Sequence, residues 1–223
     1  MEARLTSIDR GQVLRYLGYK GGELPSELEA SLRRCEALLL ETARPRILWK
    51  LFPLLPDGSL GGTCFRPAGK DVRTFLGDCT ELILLAATLG NEVERLIRKA
   101  QVSDMTEAMI LDACGSAAIE AVCDALCEDL AAAFAPRYLT DRYSPGYGDF
   151  PLTQQAELFS VLDVTRRIGV TLSPGGLMLP QKSVTALVGV SDRPQPMRPR
   201  GCAACPISDR CTFRKEGKTC GSK

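Results

Sequence analysis

Histidine is absent from the 223-residue chain. Its absence excludes Ser-His-Asp and Cys-His catalysis and any metal site with histidine ligands. The chain also has no run of 18 apolar residues, and its polar first residues do not form a signal peptide, so we expect a cytoplasmic protein. A net charge of +1 gives no reason to expect nucleic acid or a membrane as partner. Neither a Gly-x-Gly-x-x-Gly motif nor a P-loop is present, so a Rossmann-type nucleotide site is not supported.

Cysteine, in contrast, is abundant, and the ten cysteines fall into two groups. Four of them crowd into residues 202–223. The other six are scattered among apolar residues, and we predict that they are small core side chains. They are Cys35, Cys64, Cys79, Cys114, Cys123 and Cys127.

The C-terminal cysteines Cys202, Cys205, Cys211 and Cys220 have the pattern of a metal site. A Cys-x-x-Cys turn presents two sulfurs to one ion, and four thiolates complete either tetrahedral zinc or an iron–sulfur cluster. The segment is too small to bury a core, so the metal would supply its folding energy. Reducing conditions in the cytosol argue against the alternative of disulfides. We predict a metal-binding tail at residues 202–223, with iron–sulfur favoured over zinc by the uneven spacing.

Hydrophobic periodicity predicts a separate domain at residues 1–191, joined to the tail by a Pro/Arg-rich linker at 192–201. The predicted helices lie at residues 7–43 in two pieces, 71–76, 91–99, 104–134 and 153–168. The predicted strands lie at residues 45–52, 81–90 and 183–191, with a short strand and a turn between 168 and 180. Helices and strands in mixed order, without a βαβ rhythm, indicate an α+β fold with a twisted antiparallel sheet.

The longest predicted helix is so apolar that it must be buried on nearly every side. Its polar residues fall largely on one row with a spacing of four: Asp112, Ser116, Glu120, Asp124 and Glu128. A solvated stripe is the ordinary interpretation of such a row. The sharper alternative is a carboxylate that faces a ligand pocket, and Glu120 is the best placed for that role.

The loop at residues 141–151 carries Arg142, then three residues, then Gly146-Tyr147. Pro145 stiffens it, and its glycines permit positive φ, so we expect an open loop whose backbone groups are free to meet a ligand. Arg142 offers a planar fork for a carboxylate or phosphate, and Tyr147 offers an aromatic face. The alternative is a proline-rich turn with a solvated arginine.

These features together resemble the activation domain of cobalamin-dependent methionine synthase, in a short free-standing form. Residues 142–147 fit the Arg-x-x-x-Gly-Tyr loop of that family, and residues 120–126 resemble the helix that precedes it. Residues 169–172 and 178–184 resemble its closing segment. The resemblance covers roughly residues 65–191, and the cysteine tail is an addition to it.

The resemblance implies that the protein binds S-adenosylmethionine. Arg142 would take the methionine carboxylate, Ser144, Gly146 and Tyr147 would hold the adenosine through the loop, and Glu120 would face the cationic end of the ligand. The implied role is repair of cob(II)alamin on a partner, either cobalamin-binding methionine synthase or another corrinoid protein. A flavodoxin or ferredoxin-like donor would supply the electron. Positioning of the methyl donor would suffice, so no catalytic residue is expected.

Two hypotheses of other classes stay open. In the first, the C-terminal cluster is the working part of an iron–sulfur electron-transfer or sensing protein that acts on corrinoid proteins. In the second, the chain is a binding module whose tail is a zinc-held docking element. Iron content and visible absorbance of the anaerobically purified protein distinguish them.

Overall fold

A computed structural model of the chain describes residues 5–19, 23–194 and 208–211. Its strands, in chain order, are β1 (Arg46–Pro53), β2 (Glu81–Thr88), β3 (Tyr138–Leu139), β4 (Thr171–Leu172), β5 (Met178–Leu179) and β6 (Ser183–Ser191). Its helices are α1 (Arg10–Tyr16), α2 (Ser26–Thr42), α3 (Lys70–Leu76), α4 (Asn91–Ser103), α5 (Met105–Phe134), α6 (Gln155–Leu162) and α7 (Val164–Ile168). The predicted α+β class is confirmed.

A four-stranded antiparallel sheet in the order β1-β2-β6-β3 forms the centre of the domain. Strand β2 pairs on both edges, so that Leu85 lies opposite Trp49 of β1 and Ala186 of β6. Helices cover both faces of this strand. Because successive side chains point to opposite faces, a strand covered on both sides reads as a continuous apolar run rather than as an alternation. This explains the run predicted at residues 81–90, which is a buried strand as expected.

Helix α5 covers one face of the sheet. Its Leu126 and Leu130 pack in one buried cluster with Ile83 and Leu85 of β2. The carboxylate of Asp104 caps the helix by accepting hydrogen bonds from the backbone N–H groups of residues 106 and 107. Helices α1, α2 and α4 pack on α5 in turn, which leaves this long apolar helix buried along most of its length.

Helices α3, α6 and α7 cover the opposite face. Leu82 and Leu84 of β2 point into this second core, together with Leu158 and Leu162 of α6. A two-stranded hairpin of β4 and β5 leads from α7 back to β6. The sheet is therefore sandwiched between two helical layers, and the 141–151 loop passes along its β6 edge.

An ion-pair network fixes the N-terminal helix to its neighbour. The guanidinium of Arg10 in α1 donates to both carboxylate oxygens of Glu36 in α2, at 3.0 and 2.8 Å. It also donates to Glu29, about two turns earlier on α2, at 2.6 Å. The network holds α1 against the bundle and so fixes the position of Tyr16, the last residue of that helix.

Several sequence expectations need correction. Cys64 is exposed because it lies in the irregular turn after Leu60, and Cys127 is only half-buried, whereas the other four predicted core cysteines are buried. Helix α4 begins at Asn91 as predicted but extends to Ser103, four residues beyond the predicted end. The helix predicted at 153–168 is broken at Asp163, which has a left-handed φ of 55°. Strand β3 was not anticipated.

Among the residues that the structure describes, no helix combines the length and the apolar character needed to cross a membrane.

Candidate ligand-binding site

The site is built where the 141–151 loop runs beside β6. The backbone N–H of Tyr143 donates to the carbonyl of Leu187 at 2.9 Å, and the N–H of Leu187 donates back at 2.8 Å. This exchange holds Tyr143 as an extra extended residue at the sheet edge. Because neighbouring side chains of extended chain point to opposite faces, Arg142 is directed to the α5 side while Tyr143 enters the core on the other side.

Tyr143 anchors the loop. Its ring is buried between Phe75 and Phe150, with centroid distances of 5.0 and 6.1 Å and nearly parallel planes. Its hydroxyl donates to the carbonyl of Tyr147 at 3.2 Å, which ties the aromatic anchor to the far end of the same loop. The position of Arg142 is therefore set by the packing of the residue that follows it.

Arg142 forms two ion pairs with α5. Its Nη2 lies 2.7 Å from Oε2 of Glu120, and its Nη1 lies 2.7 Å from Oδ1 of Asp124. The two carboxylates are four residues apart on the helix, so both stand on the same face within reach of one guanidinium. Nη1 is also 3.7 Å from the sulfur of Cys127. The structure thus brings together Glu120 and Arg142, two of the predicted site residues.

The guanidinium of Arg142 is largely covered, since only 19% of the side chain is exposed. Burial disfavours its charge, but Cys123 nearby and the hydrogen bond to Asp124 outweigh that effect, so the pKa of Arg142 is raised above its ordinary value. The group stays cationic at any physiological pH. A solvated arginine on a proline-rich turn, the alternative considered for this loop, is wrong.

A second cation, Lys182, contacts the N-terminal half of the polar row on α5. Nζ of Lys182 lies 2.8 Å from Oδ1 of Asp112 and 2.9 Å from Oγ of Ser116. The stem of Lys182 lies over Gly115, where an added Cβ would come within 3.1 to 3.3 Å of three of its carbons. Four of the five residues in the row are thus engaged by Arg142 or Lys182. The fifth residue, Glu128, is exposed and pairs with neither Arg142 nor Lys182, so it alone in this row fits the interpretation as a solvated stripe.

Two exposed tyrosines lie on the elements that adjoin the Glu120–Arg142 pair, one in the 141–151 loop and one at the end of α1, which packs on α5. Tyr147 projects from the loop with 67% of the residue exposed, and Tyr16 projects from the end of α1. The pKa of Tyr16 is raised, first by partial burial and then by the negative charges of Glu120 and Tyr147. Tyr16 was missed by sequence reasoning, since nothing in the spacing of α1 links it to a residue a hundred positions later.

The loop backbone is less available than expected. The N–H of Gly146 donates to the carbonyl of Phe150 at 2.8 Å, and the N–H of Tyr147 donates to that of Ser144 at 3.2 Å. The expectation that these donors are free to meet a ligand is therefore wrong for Gly146 and Tyr147. Ser144 is half-buried and Gly146 is exposed. The loop is held in one shape by its own hydrogen bonds and presents its side chains to the site.

Two residues connect the loop to α3. The carboxylate of Asp149 accepts hydrogen bonds from the backbone N–H groups of Lys70 and Asp71 in the first turn of that helix. Gly148 has a left-handed φ of 54°, and a Cβ there would clash with the hydroxyl of Tyr143. The loop therefore has little freedom to rearrange around Arg142.

The predicted metal tail lies almost entirely outside the described residues. Cys202, Cys205 and Cys220 belong to the part of the chain that is not described, while Cys211 follows a 3-10 turn at Ser208–Arg210. Within residues 5–19, 23–194 and 208–211, no group of three or more His, Cys, Asp or Glu side chains is arranged to hold a metal. The tail remains a prediction from sequence.

The fold and the site together define an α+β domain in which one arginine links a rigid edge loop to a long buried helix. A family model described as "Vitamin B12 dependent methionine synthase, activation domain" matches residues 82–195, which is more than half of the chain. The chain belongs to this family, and the resemblance found in the sequence is confirmed. The matched segment includes α5, the 141–151 loop and β6.

Structural comparison extends the similarity beyond that segment. The chain is similar to a solved structure described as "Crystal Structure of the MetH Reactivation Domain bound to AdoHcy", with a TM-score of 0.60 and 17% sequence identity. The match covers 96% of this chain and 82% of that one, so it takes in most of the N-terminal helices as well. At this level of identity the likeness establishes the fold. No curated protein sequence matches the chain.

Proposed function

We propose that this protein binds S-adenosylmethionine between α5 and the 141–151 loop and presents its methyl group to a corrinoid held by a partner. The partner would be a cobalamin-dependent methionine synthase or a related corrinoid methyltransferase. The observation that carries the proposal is the pairing of Arg142 with Glu120 in a chain of the activation-domain family. The related solved domain contains AdoHcy, the demethylated form of the same ligand.

The residues present suit the ligand chemically. S-adenosylmethionine carries a carboxylate, an ammonium and a sulfonium group. Arg142 is complementary to the carboxylate, because a guanidinium binds a carboxylate through two parallel hydrogen bonds. Glu120 is complementary to the ammonium. The exposed faces of Tyr16 and Tyr147 offer apolar surface against which the flat adenine base would pack. Ser144 and Gly146 complete the loop side.

The proposed contribution of this chain is orientation. When bound, S-adenosylmethionine supplies an electrophilic methyl group for the reductive methylation of cob(II)alamin, and a flavodoxin or ferredoxin-like protein supplies the one electron. Holding the donor in a fixed orientation replaces a chance encounter by an arrangement close to the reacting geometry, which lowers the barrier without an acid, base or nucleophile. A chain without histidine is compatible with that role.

Calorimetric titration with S-adenosylmethionine tests the proposal. Arg142→Ala removes a charge-assisted pair worth about 1.5–3 kcal/mol, so we expect affinity to fall roughly ten- to a hundredfold. Glu120→Gln keeps the side-chain shape and is expected to weaken binding with little change in the free energy of unfolding. Arg137→Ala is the matched control, since Arg137 is paired with Glu81 near the C-terminal end of β6, where Glu81 lies opposite Val190. Equal affinity of wild type and Arg142→Ala would contradict the proposal.

We further propose that Cys202, Cys205, Cys211 and Cys220 bind one metal centre, either an iron–sulfur cluster or zinc, in a tail separable from the ligand-binding domain at 1–191. Closed thiolate sites use all four ligands, so Cys205→Ser should release the metal. A chain ending at Ser191 should still bind S-adenosylmethionine, because β6 ends there and the site lies before it. Elemental analysis of anaerobically purified protein is the measurement, and absence of both iron and zinc would contradict the metal site.

A further inference from the structure

Arg142 is paired with one more carboxylate than its single positive charge balances. Arg142 is paired with both Glu120 and Asp124, so the three side chains together carry one positive and two negative charges. Lys182 is committed elsewhere on the row, to Asp112 and Ser116. The three-residue cluster of Glu120, Asp124 and Arg142 is hereafter called the charged cluster.

The two carboxylates of the charged cluster have different surroundings. Glu120 is 38% exposed, and its negative charge contributes to the raised pKa of Tyr16. Asp124 lies one helical turn further on, is 57% exposed, and holds the other nitrogen of Arg142. A ligand that engages Glu120 therefore leaves the Asp124–Arg142 pair in place.

Charge matching then singles out Asp124. This step rests on the proposed function. The amino-acid end of S-adenosylmethionine carries a carboxylate that would bind Arg142 and an ammonium that would bind Glu120. These two ligand charges cancel, so the negative charge of Asp124 stays unbalanced. A ligand with a second positive charge, the sulfonium, balances it. When the methyl group leaves, the C–S bonding electron pair stays on sulfur, the sulfonium becomes a neutral thioether, and the balance is lost.

We propose that Asp124 is a specificity-determining residue that makes the site prefer the sulfonium ligand over its demethylated thioether product. The excess negative charge attracts S-adenosylmethionine, with a net charge of +1, more strongly than S-adenosylhomocysteine, with none. Product release after methyl transfer is thereby favoured. One unit charge in a partly exposed site, screened by solvent, corresponds to a preference of about three- to tenfold.

The test compares the affinities of the two ligands by calorimetry in wild type, Asp124→Asn and Asp112→Asn. Asp124→Asn is expected to reduce the preference for S-adenosylmethionine about three- to tenfold, chiefly by weakening that ligand. Asp112→Asn removes the same charge about three and a third turns from Asp124 on the same row, and is expected to leave the preference within about twofold of wild type. Equal weakening of both ligands by Asp124→Asn would overturn the proposal, because it would show that Asp124 only orients Arg142.

A salt series on the wild type provides a second measurement that needs no variant. The screening length falls from about 10 Å at 0.1 M salt to about 3 Å at 1 M, so the preference for the sulfonium ligand should shrink across this range. A preference that is absent at low salt, or that is unchanged at high salt, would overturn the proposal. Failure of either ligand to bind the wild type would instead refute the proposed function itself, so the two failures are distinguishable.

Discussion

Arg142 and Lys182 reach the same face of α5 from neighbouring segments, yet their surroundings differ. Lys182 is 11% exposed and lies with its stem over Gly115, making contacts with Asp112 and Ser116. Arg142 lies in the loop that also carries the exposed Tyr147, and its partner Glu120 acts electrostatically on the exposed Tyr16 of α1. The first cation fastens β6 to the helix. The second stands beside open aromatic surface, which is the arrangement that a ligand needs.

An ion pair on a buried helix indicates a binding site only when its surroundings are also open to a ligand. Both pairs join a cation to a half-exposed carboxylate at 2.7 to 2.8 Å. Distances therefore do not separate a structural contact from a candidate binding contact. The two pairs differ in their surroundings. The aliphatic stem of Lys182 fills the space beside Gly115, whereas the loop of Arg142 carries an exposed tyrosine. The predictions below test this distinction.

The largest effect on stability is expected at Tyr143, the residue that anchors the 141–151 loop. Tyr143→Ala removes a buried aromatic ring stacked between two others, so we expect a loss of about 3–5 kcal/mol in the free energy of unfolding, measured by urea denaturation. Tyr147→Ala, in the same loop but 67% exposed, is the matched control. It should change stability by no more than about 0.5 kcal/mol while weakening S-adenosylmethionine binding. Similar stability losses for both variants would contradict the division between anchor and ligand-facing tyrosine.

A smaller effect is expected at the second cation. Lys182→Met keeps most of the stem over Gly115 but removes the ion pair and the hydrogen bond to Ser116, at a cost of about 1 kcal/mol in unfolding free energy. Affinity for S-adenosylmethionine should stay within about twofold of wild type. A tenfold loss of affinity would place Lys182 in the ligand site and contradict the assignment of Lys182 to a purely structural contact.

The smallest effect concerns the titration of Tyr16. Its pKa is raised by partial burial and then by Glu120, so Glu120→Gln should lower this pKa towards the ordinary tyrosine value. Ultraviolet titration of each variant, with Tyr16→Phe as the background to subtract, measures it. Asp112→Asn, further along the row, should leave the pKa of Tyr16 where it was. An unchanged pKa in Glu120→Gln would show that Tyr16 does not flank the site.

The sign of the stability effect follows from the direction of that shift. Tyr16 ionises at higher pH in the folded than in the unfolded state. The unfolded chain therefore loses its proton first as pH rises through the ordinary tyrosine range. The contribution of Tyr16 to unfolding free energy is thus constant at neutral pH and becomes unfavourable only in alkaline solution.

Much of the fold was predictable because the pattern of apolar residues carries it. The apolar run of β2 and the periodic spacing in α2 and α5 predicted these elements correctly. Strand β3 was missed because its two residues, Tyr138 and Leu139, are too few to show an alternating pattern of apolar and polar side chains. The break at Asp163 was missed because a left-handed residue within an apolar pattern leaves no signature in spacing.

The amino-acid sequence by itself determined that a long helix would carry an acidic row and that Arg142 would lie in a stiff loop, because helical period and proline are local properties. It also pointed to Glu120. The tertiary structure alone shows that Asp124 shares Arg142, that Lys182 pairs with Asp112 in the other half of the row, and that the charge of Glu120 acts on Tyr16. Those contacts join residues of different elements, and their formation depends on how β6, α1 and α5 pack, which no local pattern encodes.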